Sequence, residues 1–152
     1  MAAGCAAWSA LAAPVCDPDA IFLRTPAGAE IRFSAEIADD ADERAQGLMN
    51  RPSMAQSASM LFVFPAPRRV GFWMKNTLIP LDILFADENG VVQRVHPMAR
   101  PLDESVIDGG EAIRVVVELN GGLAGRVGIG PGTEIMHPSI DQAMAKWPCP
   151  PG

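Results

Sequence analysis

Turn signals cut this chain into short apolar runs, and that punctuation restricts it to a β-rich fold. Glu30 to Ile37 alternates strictly, with Ile31, Phe33, Ala35 and Ile37 set against Glu30, Arg32, Ser34 and Glu36. A period of two describes a strand with one face buried. Ile21 to Thr25 precedes it across Pro26-Ala27-Gly28, so the two runs predict a hairpin. Further β-type runs lie at Met60 to Phe64, Val70 to Met74, Ile83 to Ala86, Val91 to Val95, Ile113 to Leu119 and Thr133 to Met136. Asn89-Gly90, between two of these runs, is the strongest hairpin signal. Fourteen glycines and fourteen prolines in 152 residues suit many short elements better than a helical bundle. The expected fold is mainly β: a jelly-roll-like sandwich or barrel of about eight short strands with two or three short peripheral helices.

The first helix is predicted after Asp39, where Asp40 can cap it and Glu43 completes a capping-box pattern. Gly47 and then Pro52 end it. Asn120-Gly121-Gly122 starts a turn with one helical turn through Arg126. A third helix is expected over residues 139–147. Ser139 stands at its cap, Ile140, Ala143, Met144 and Trp147 fall at helical spacing, and Pro148 stops it.

A chain of this length, 49% hydrophobic, can bury one sizeable core. Its net charge is −6, and no basic run exceeds Arg68-Arg69. A phosphate backbone or an anionic bilayer asks for the opposite sign, so no nucleic-acid partner is expected. No stretch of 18 apolar residues is present to form a transmembrane helix. Residues 1–12 read as the tail of an export signal, because Ala10-Leu11-Ala12 has the small-x-small pattern of a cleavage site. Residues 13–152 are then a single β-rich domain, periplasmic or secreted. Cleavage after Ala12 removes Cys5 and leaves Cys16 and Cys149 at opposite ends of the domain. Domain termini often lie close together, and an exported context permits a disulfide, so Cys16 and Cys149 are expected to be bonded.

The densest chemistry lies in Phe72 to Asp82, F-W-M-K-N-T-L-I-P-L-D. Lys75 and Asp82 flank the turn Asn76 to Leu81. If Val70–Met74 and Ile83–Ala86 pair as antiparallel neighbours, the two charges face each other at its base. Trp73 would add a flat apolar face beside an ammonium, an amide and a carboxylate, a plausible polar ligand site. Alternatively, Lys75, Asn76 and Asp82 only tie the turn together. Glu118, between Val117 and Leu119, could join Asp82 as a hydrolytic carboxylate pair, or pair with Arg44 or Arg51 inside the fold. Eight methionines with His96-Pro97-Met98 and Met136-His137 invite a copper reading, although methionine also fills irregular cores. Two histidines and bonded cysteines are too few for a zinc site, and no cofactor is expected.

Three blocks read in order carry a family resemblance: E-R-A-Q-G-L-M-N-R, S-M-L-F-V-F and F-W-M-K-N-T-L-I-P-L-D-I-L-F. They continue with V-V-V-E-L-N-G-G and G-I-G-P-G-T-E-I. The chain resembles, over about residues 21–138, the bacterial and archaeal family called domain of unknown function 192. The C-terminal helix falls outside that core as an addition. The resemblance implies a jelly-roll-like β domain, commonly exported in Gram-negative bacteria, and brings no established activity. Its pattern picks out Arg44, Gly47, Met49 and Arg51, then Phe72 to Thr77, Pro80 and Asp82, and finally Glu118. The leading expectation is a non-enzymatic exported accessory or binding domain for a small polar ligand, saccharide-like or peptide-like, or for a protein partner. Its site would be Trp73, Lys75, Asn76 and Asp82, with Arg51 or Glu118 nearby. Copper handling through Met and His, and hydrolysis through Asp82 and Glu118, are the alternatives.

Overall fold

The computed structural model describes residues 14–151, so the export-signal expectation for residues 1–12 lies outside the described residues. Seven strands form one sheet: β1 (Ala20–Arg24), β2 (Glu30–Ala38), β3 (Ala58–Phe72), β4 (Leu81–Ala86), β5 (Val92–Ala99), β6 (Ile107–Asn120) and β7 (Glu134–Met136). Their order across the sheet is β5-β4-β6-β3-β2-β1-β7. Only β2 and β3 run parallel, and the crossover between them carries the helix α1 (Ala41–Gln46). The second helix, α2 (Leu123–Val127), follows β6. The sheet curls into a half-barrel whose two edges are stitched at one end. Val92 N donates to Thr133 O and Ile135 N donates to Gly90 O, both at 2.8 Å.

The mainly β expectation holds, with one difference in strand count. The runs Met60–Phe64 and Val70–Met74 are not two strands. The first lies within β3 and the second forms its end, except that Trp73 and Met74 fall beyond it. Pro65 and Pro67 interrupt the sequence pattern but not the strand. They are exposed and lie where the ladder to β6 skips from Val63 to Arg68, so their missing N–H groups leave no ladder bond unmade. The β1–β2 hairpin and the Asn89-Gly90 turn form as expected, with Gly90 at φ 76°.

Both faces of the sheet are buried, which explains the uninterrupted apolar runs of β4 and β6. Leu84, Ala86, Val115, Val117 and Leu119 join Ile21, Leu23 and Ile135 in one core. That core draws on both edge regions through Val92 and Ile135, so it fills the curl. Ile83, Phe85 and Val116 point the other way and join Met60, Phe62, Phe64, Leu48 and Met74 in a second core. Strand alternation therefore sorts β6 into two sets, and it places Glu118 with Val116 on the second face.

The helix expected over 139–147 is absent, and the segment forms turns instead. Its polar groups bond elsewhere. Gln142 Nε2 donates to His137 O and Ile140 O, Lys146 N donates to Asn89 O, and Asn89 Nδ2 donates to Met144 O. A nine-residue run is too short to hold a helix by itself against such competition. The tail ends in the Cys16–Cys149 disulfide, with Cα atoms 5.5 Å apart. This pairing is the one expected from the sequence.

Candidate ligand pocket

The residues expected to form one site are divided between three places. Asp82 is fully buried, and it faces the core inside the curl. Its Oδ1 accepts from Met98 N at 2.8 Å and Gly122 N at 2.9 Å, and its Oδ2 accepts from Ala124 N at 2.8 Å. Gly122 is the N-cap of α2 and has no side chain to cap it, so Asp82 supplies the cap from another strand. The expected face-to-face arrangement of Lys75 and Asp82 does not occur. β6 lies between β3 and β4, so the two segments are not neighbours.

The carboxylate pair does not form either. Ile83 is the residue opposite Glu118, and Asp82 is opposite Leu119. Alternation then sends the two acids to opposite faces of the sheet. Arg51 lies elsewhere again, forked onto Glu36, with its Nη2 3.0 Å from Oε1 and its Nη1 on Oε2. The hydrogen bond to Glu36 raises the Arg51 pKa.

Asn76 and Lys75 are exposed on the loop after β3. Asn76 adopts φ 55°, a conformation that asparagine tolerates, and its carbonyl accepts from Asn50 N at 2.8 Å. Met74 is buried and its N–H donates to Asp103 O at 2.8 Å, while Leu102 N donates to Thr77 O at 3.1 Å. These anchors hold Trp73 out on the surface, 45% exposed, with Lys75 Nζ 5.1 Å from its ring centroid.

Trp73 and Glu118 share a cavity of about 250 Å³. Phe62, Phe64 and Phe72 form its walls with Leu48, Met49, Thr77, Arg44 and Gly47. Phe62 and Phe72 pack edge to face at 4.9 Å. Gly47 ends α1 at φ 48°, and a Cβ there would come within 3.2 Å of the Phe62 ring. Arg44 reaches from α1 across Phe64, with its guanidinium 5.2 Å from the ring centroid. Its Nη1 donates to Asp39 O at 2.8 Å and Val63 O at 3.0 Å. Among the described residues no carboxylate forms a salt bridge with Arg44.

Glu118 is the anomaly in this cavity. It is 95% removed from solvent by the complement of its 5% exposure, and its Oε2 is enclosed without a hydrogen-bond partner. Neither Arg44 nor Arg51 neutralises it. Burial pushes its pKa from the ordinary 4.5 up to about 8. At neutral pH it is therefore mainly a carboxylic acid, able both to donate and to accept. The sequence placed Trp73 and Glu118 in one candidate site, and of its six residues these two line the cavity. It missed Phe62, Phe64 and Phe72 as walls and Arg44 and Thr77 as pocket groups. The family pattern contained a signal for several of these, since Arg44, Gly47, Met49, Phe72, Trp73, Thr77 and Glu118 all belong to it and all line this one cavity.

Of the methionine and histidine groups, Met74 and His96 line one further cavity, together with Arg94 and Arg100. Met60, Met74 and Met136 are core residues, and Met98 is exposed. His137 is buried, with Nε2 2.9 Å from Pro18 O and Nδ1 accepting from Ser139 N at 3.0 Å, so both ring nitrogens are occupied. Burial lowers its pKa, keeping it neutral. One exposed acidic trio, Asp39, Asp40 and Glu43, lies close together among the described residues. Its bonds are those of the α1 cap, where Asp40 Oδ1 accepts from Glu43 N at 2.8 Å and Glu43 Oε2 accepts from Asp39 N at 3.1 Å.

The molecule is thus a curled, single-sheet β domain with an aromatic cavity closed below by a buried acid. A sequence profile of the domain of unknown function 192 family, described as uncharacterized ACR, matches residues 23–137, and the chain belongs to this family. No curated protein matches it. A crystal structure from Sinorhizobium meliloti 1021, described as a "putative transcription regulator", is similar at 40% identity and a TM-score of 0.75. That likeness covers 76% of this chain and 90% of the other. A protein of unknown function from Novosphingobium aromaticivorans DSM 12444 is similar at 35% identity and a TM-score of 0.74, covering 82% of this chain and 92% of the other. Among the described residues, no helix is long and apolar enough to cross a membrane.

Proposed function

We propose that this protein is an exported, non-enzymatic binding domain that holds a small ligand in the cavity between Trp73 and Glu118. The observation that carries this reading is Glu118, a buried acid that lines an aromatic cavity and whose Oε2 is left without a partner. A buried polar group without a partner costs about 1–3 kcal/mol, and a bound ligand that pairs with it recovers that loss. The walls join the flat faces of Phe62, Phe64, Phe72 and Trp73 to the polar side chains of Arg44, Gln46, Thr77 and Glu118. Four aromatic rings on one cavity favour the peptide-like reading over the saccharide-like one: a compact ligand with an apolar body and a polar end. The Cys16–Cys149 bond supports the exported reading, since such bonds persist in oxidising compartments. Transcription regulation, taken from the Sinorhizobium description, fits less well, because a net charge of −6 opposes direct contact with DNA.

A thermal-shift screen of the purified chain against small acids, amides and amines tests the binding reading. The expected result is stabilisation by at least one class, lost in Trp73→Ala. A chain whose melting no class alters would overturn it. Fractionation of the native host, with the protein found in the cytoplasm, would overturn the export reading separately.

A further inference from the structure

The binding reading leaves the ligand's charge open, and the groups around the cavity assign it. Glu118 faces Met60 of β3 and Ile83 of β4 across the sheet, and neither side chain titrates. The loop after β3 contributes Trp73 and Thr77 to the cavity, both uncharged. The Thr77 hydroxyl is already donated to Lys75 O at 3.2 Å. From α1 comes Arg44, the single charged group lining the cavity besides Glu118. Lys75 stands just outside, over the Trp73 ring. The cavity therefore joins a permanent cation on its wall to an acid in its depth, and the two do not neutralise each other.

We infer that the cavity recognises a small organic carboxylate with a flat apolar body, paired to Arg44 and to the buried carboxyl of Glu118. This inference rests on the binding reading above. The aromatic rings take the ligand body, and the enclosed acid donates its proton to a ligand oxygen in an O–H···O bond. Arg44 supplies the compensating charge, since the contacts to Asp39 O and Val63 O both run through Nη1 and leave its other nitrogens as donors. A cationic ligand is disfavoured on two counts. It would face the Arg44 charge, and it would require Glu118 to ionise inside an apolar wall. An uncharged ligand would leave Arg44 without a counter-charge.

The inference has a proton-linkage signature. A carboxylate that binds the protonated acid loses affinity once Glu118 ionises, by about tenfold for each pH unit above its pKa. A cation would do the reverse and tighten as pH rises. Three planar probes of one shape separate these cases by isothermal titration between pH 6 and 9.5: benzoate, benzamide and benzamidinium. The expected order at pH 7 is benzoate tightest and benzamidinium weakest, with benzoate affinity falling steeply above pH 8. Glu118→Gln keeps a neutral donor in place and should flatten the benzoate profile. Arg44→Gln should weaken benzoate by at least tenfold while changing benzamide little.

Benzamidinium binding tightest, and tightening with pH, would overturn the inference and leave the binding reading intact. Equal, pH-independent binding of all three probes would also overturn it, by showing an apolar cavity indifferent to charge. Failure of every probe, together with an empty thermal-shift screen, would sink the binding reading itself. The wild-type profile alone distinguishes these outcomes, so a misfolded variant cannot rescue or defeat the claim.

Discussion

Asp82 and Glu118 lie one register step apart on neighbouring strands, yet they occupy opposite faces of the sheet. Ile83 is opposite Glu118 and Asp82 is opposite Leu119. Their surroundings then set opposite roles. Asp82 is surrounded by three backbone donors within 2.9 Å, whereas Glu118 Oε2 has no donor among the described residues. One acid holds the scaffold, and the other lines the cavity with an oxygen left unpaired.

That contrast predicts how Asp82→Ala should behave. The substitution frees the amides of Met98, Gly122 and Ala124, one of them buried, and uncaps α2. Losing charge-assisted bonds to buried donors should lower the unfolding free energy by roughly 3–5 kcal/mol. Urea denaturation checks this, and a loss below about 1 kcal/mol would contradict the structural role. Any loss of binding in this variant should follow its loss of folded protein.

The same two acids show what the sequence could and could not convey. The alternation of Glu30–Ile37 and the unbroken runs Ile83–Ala86 and Ile113–Leu119 were legible, because burial on one or both faces imprints itself locally. The capped α1 and the Asn89-Gly90 turn were legible for similarly local reasons, while the disulfide was legible because its two cysteines stand at the ends of one domain. Pairing was not. Consecutive strands are usually neighbours, which made β3 and β4 natural partners for a Lys75–Asp82 contact. The strand that separates them, β6, comes more than twenty residues later in the chain, and no local pattern announces its insertion. The spacing of Ile140, Ala143, Met144 and Trp147 was helical, but bonds to Asn89 and His137 captured the segment. Both misreadings have long-range causes.

Trp73 and Lys75 provide a test of where the site is centred. Trp73 is 45% exposed and lines the cavity, whereas Lys75 is not among the lining residues and stands with its Nζ 5.1 Å from the ring centroid. Trp73→Ala should weaken the ligand found by screening at least tenfold, about 1.4 kcal/mol, while changing stability by less than about 1 kcal/mol. Lys75→Ala should shift stability by no more than about 0.5 kcal/mol and affinity by less than Trp73→Ala does. Titration and melting of both variants check this. A larger effect from Lys75 would move the site back to the exposed turn.

The disulfide predicts a large response to reductant. It closes a loop with a sequence separation of 133. Chain entropy alone gives roughly 5 kcal/mol for a loop of that size, and native contacts that persist after reduction would reduce the effect. Cys149→Ser should therefore melt well below the oxidised chain, and reductant should lower the melting temperature of the wild type but not of the variant. Identical melting with and without reductant would show that the bond does not constrain the chain.

Glu118 also makes stability depend on pH, and the sign follows from the direction of its shift. Its pKa is about 8 in the folded protein against an ordinary 4.5 for an exposed glutamate. Between those values the folded state holds a proton that the unfolded chain has released. Raising the pH through that window therefore favours unfolding. The stabilising contribution is complete below about pH 4.5 and has been lost once the pH passes about 8. One proton contributes at most about 1.4 kcal/mol per pH unit, and water entry into the cavity would soften the slope. Glu118→Gln cannot ionise, so its stability relative to wild type should rise steadily from pH 5 to pH 8 and level off above that. Parallel urea unfolding curves across that range measure the difference directly. A constant difference would mean that Glu118 is ionised in the folded protein, and with that the acid would cease to be a proton donor for a bound carboxylate.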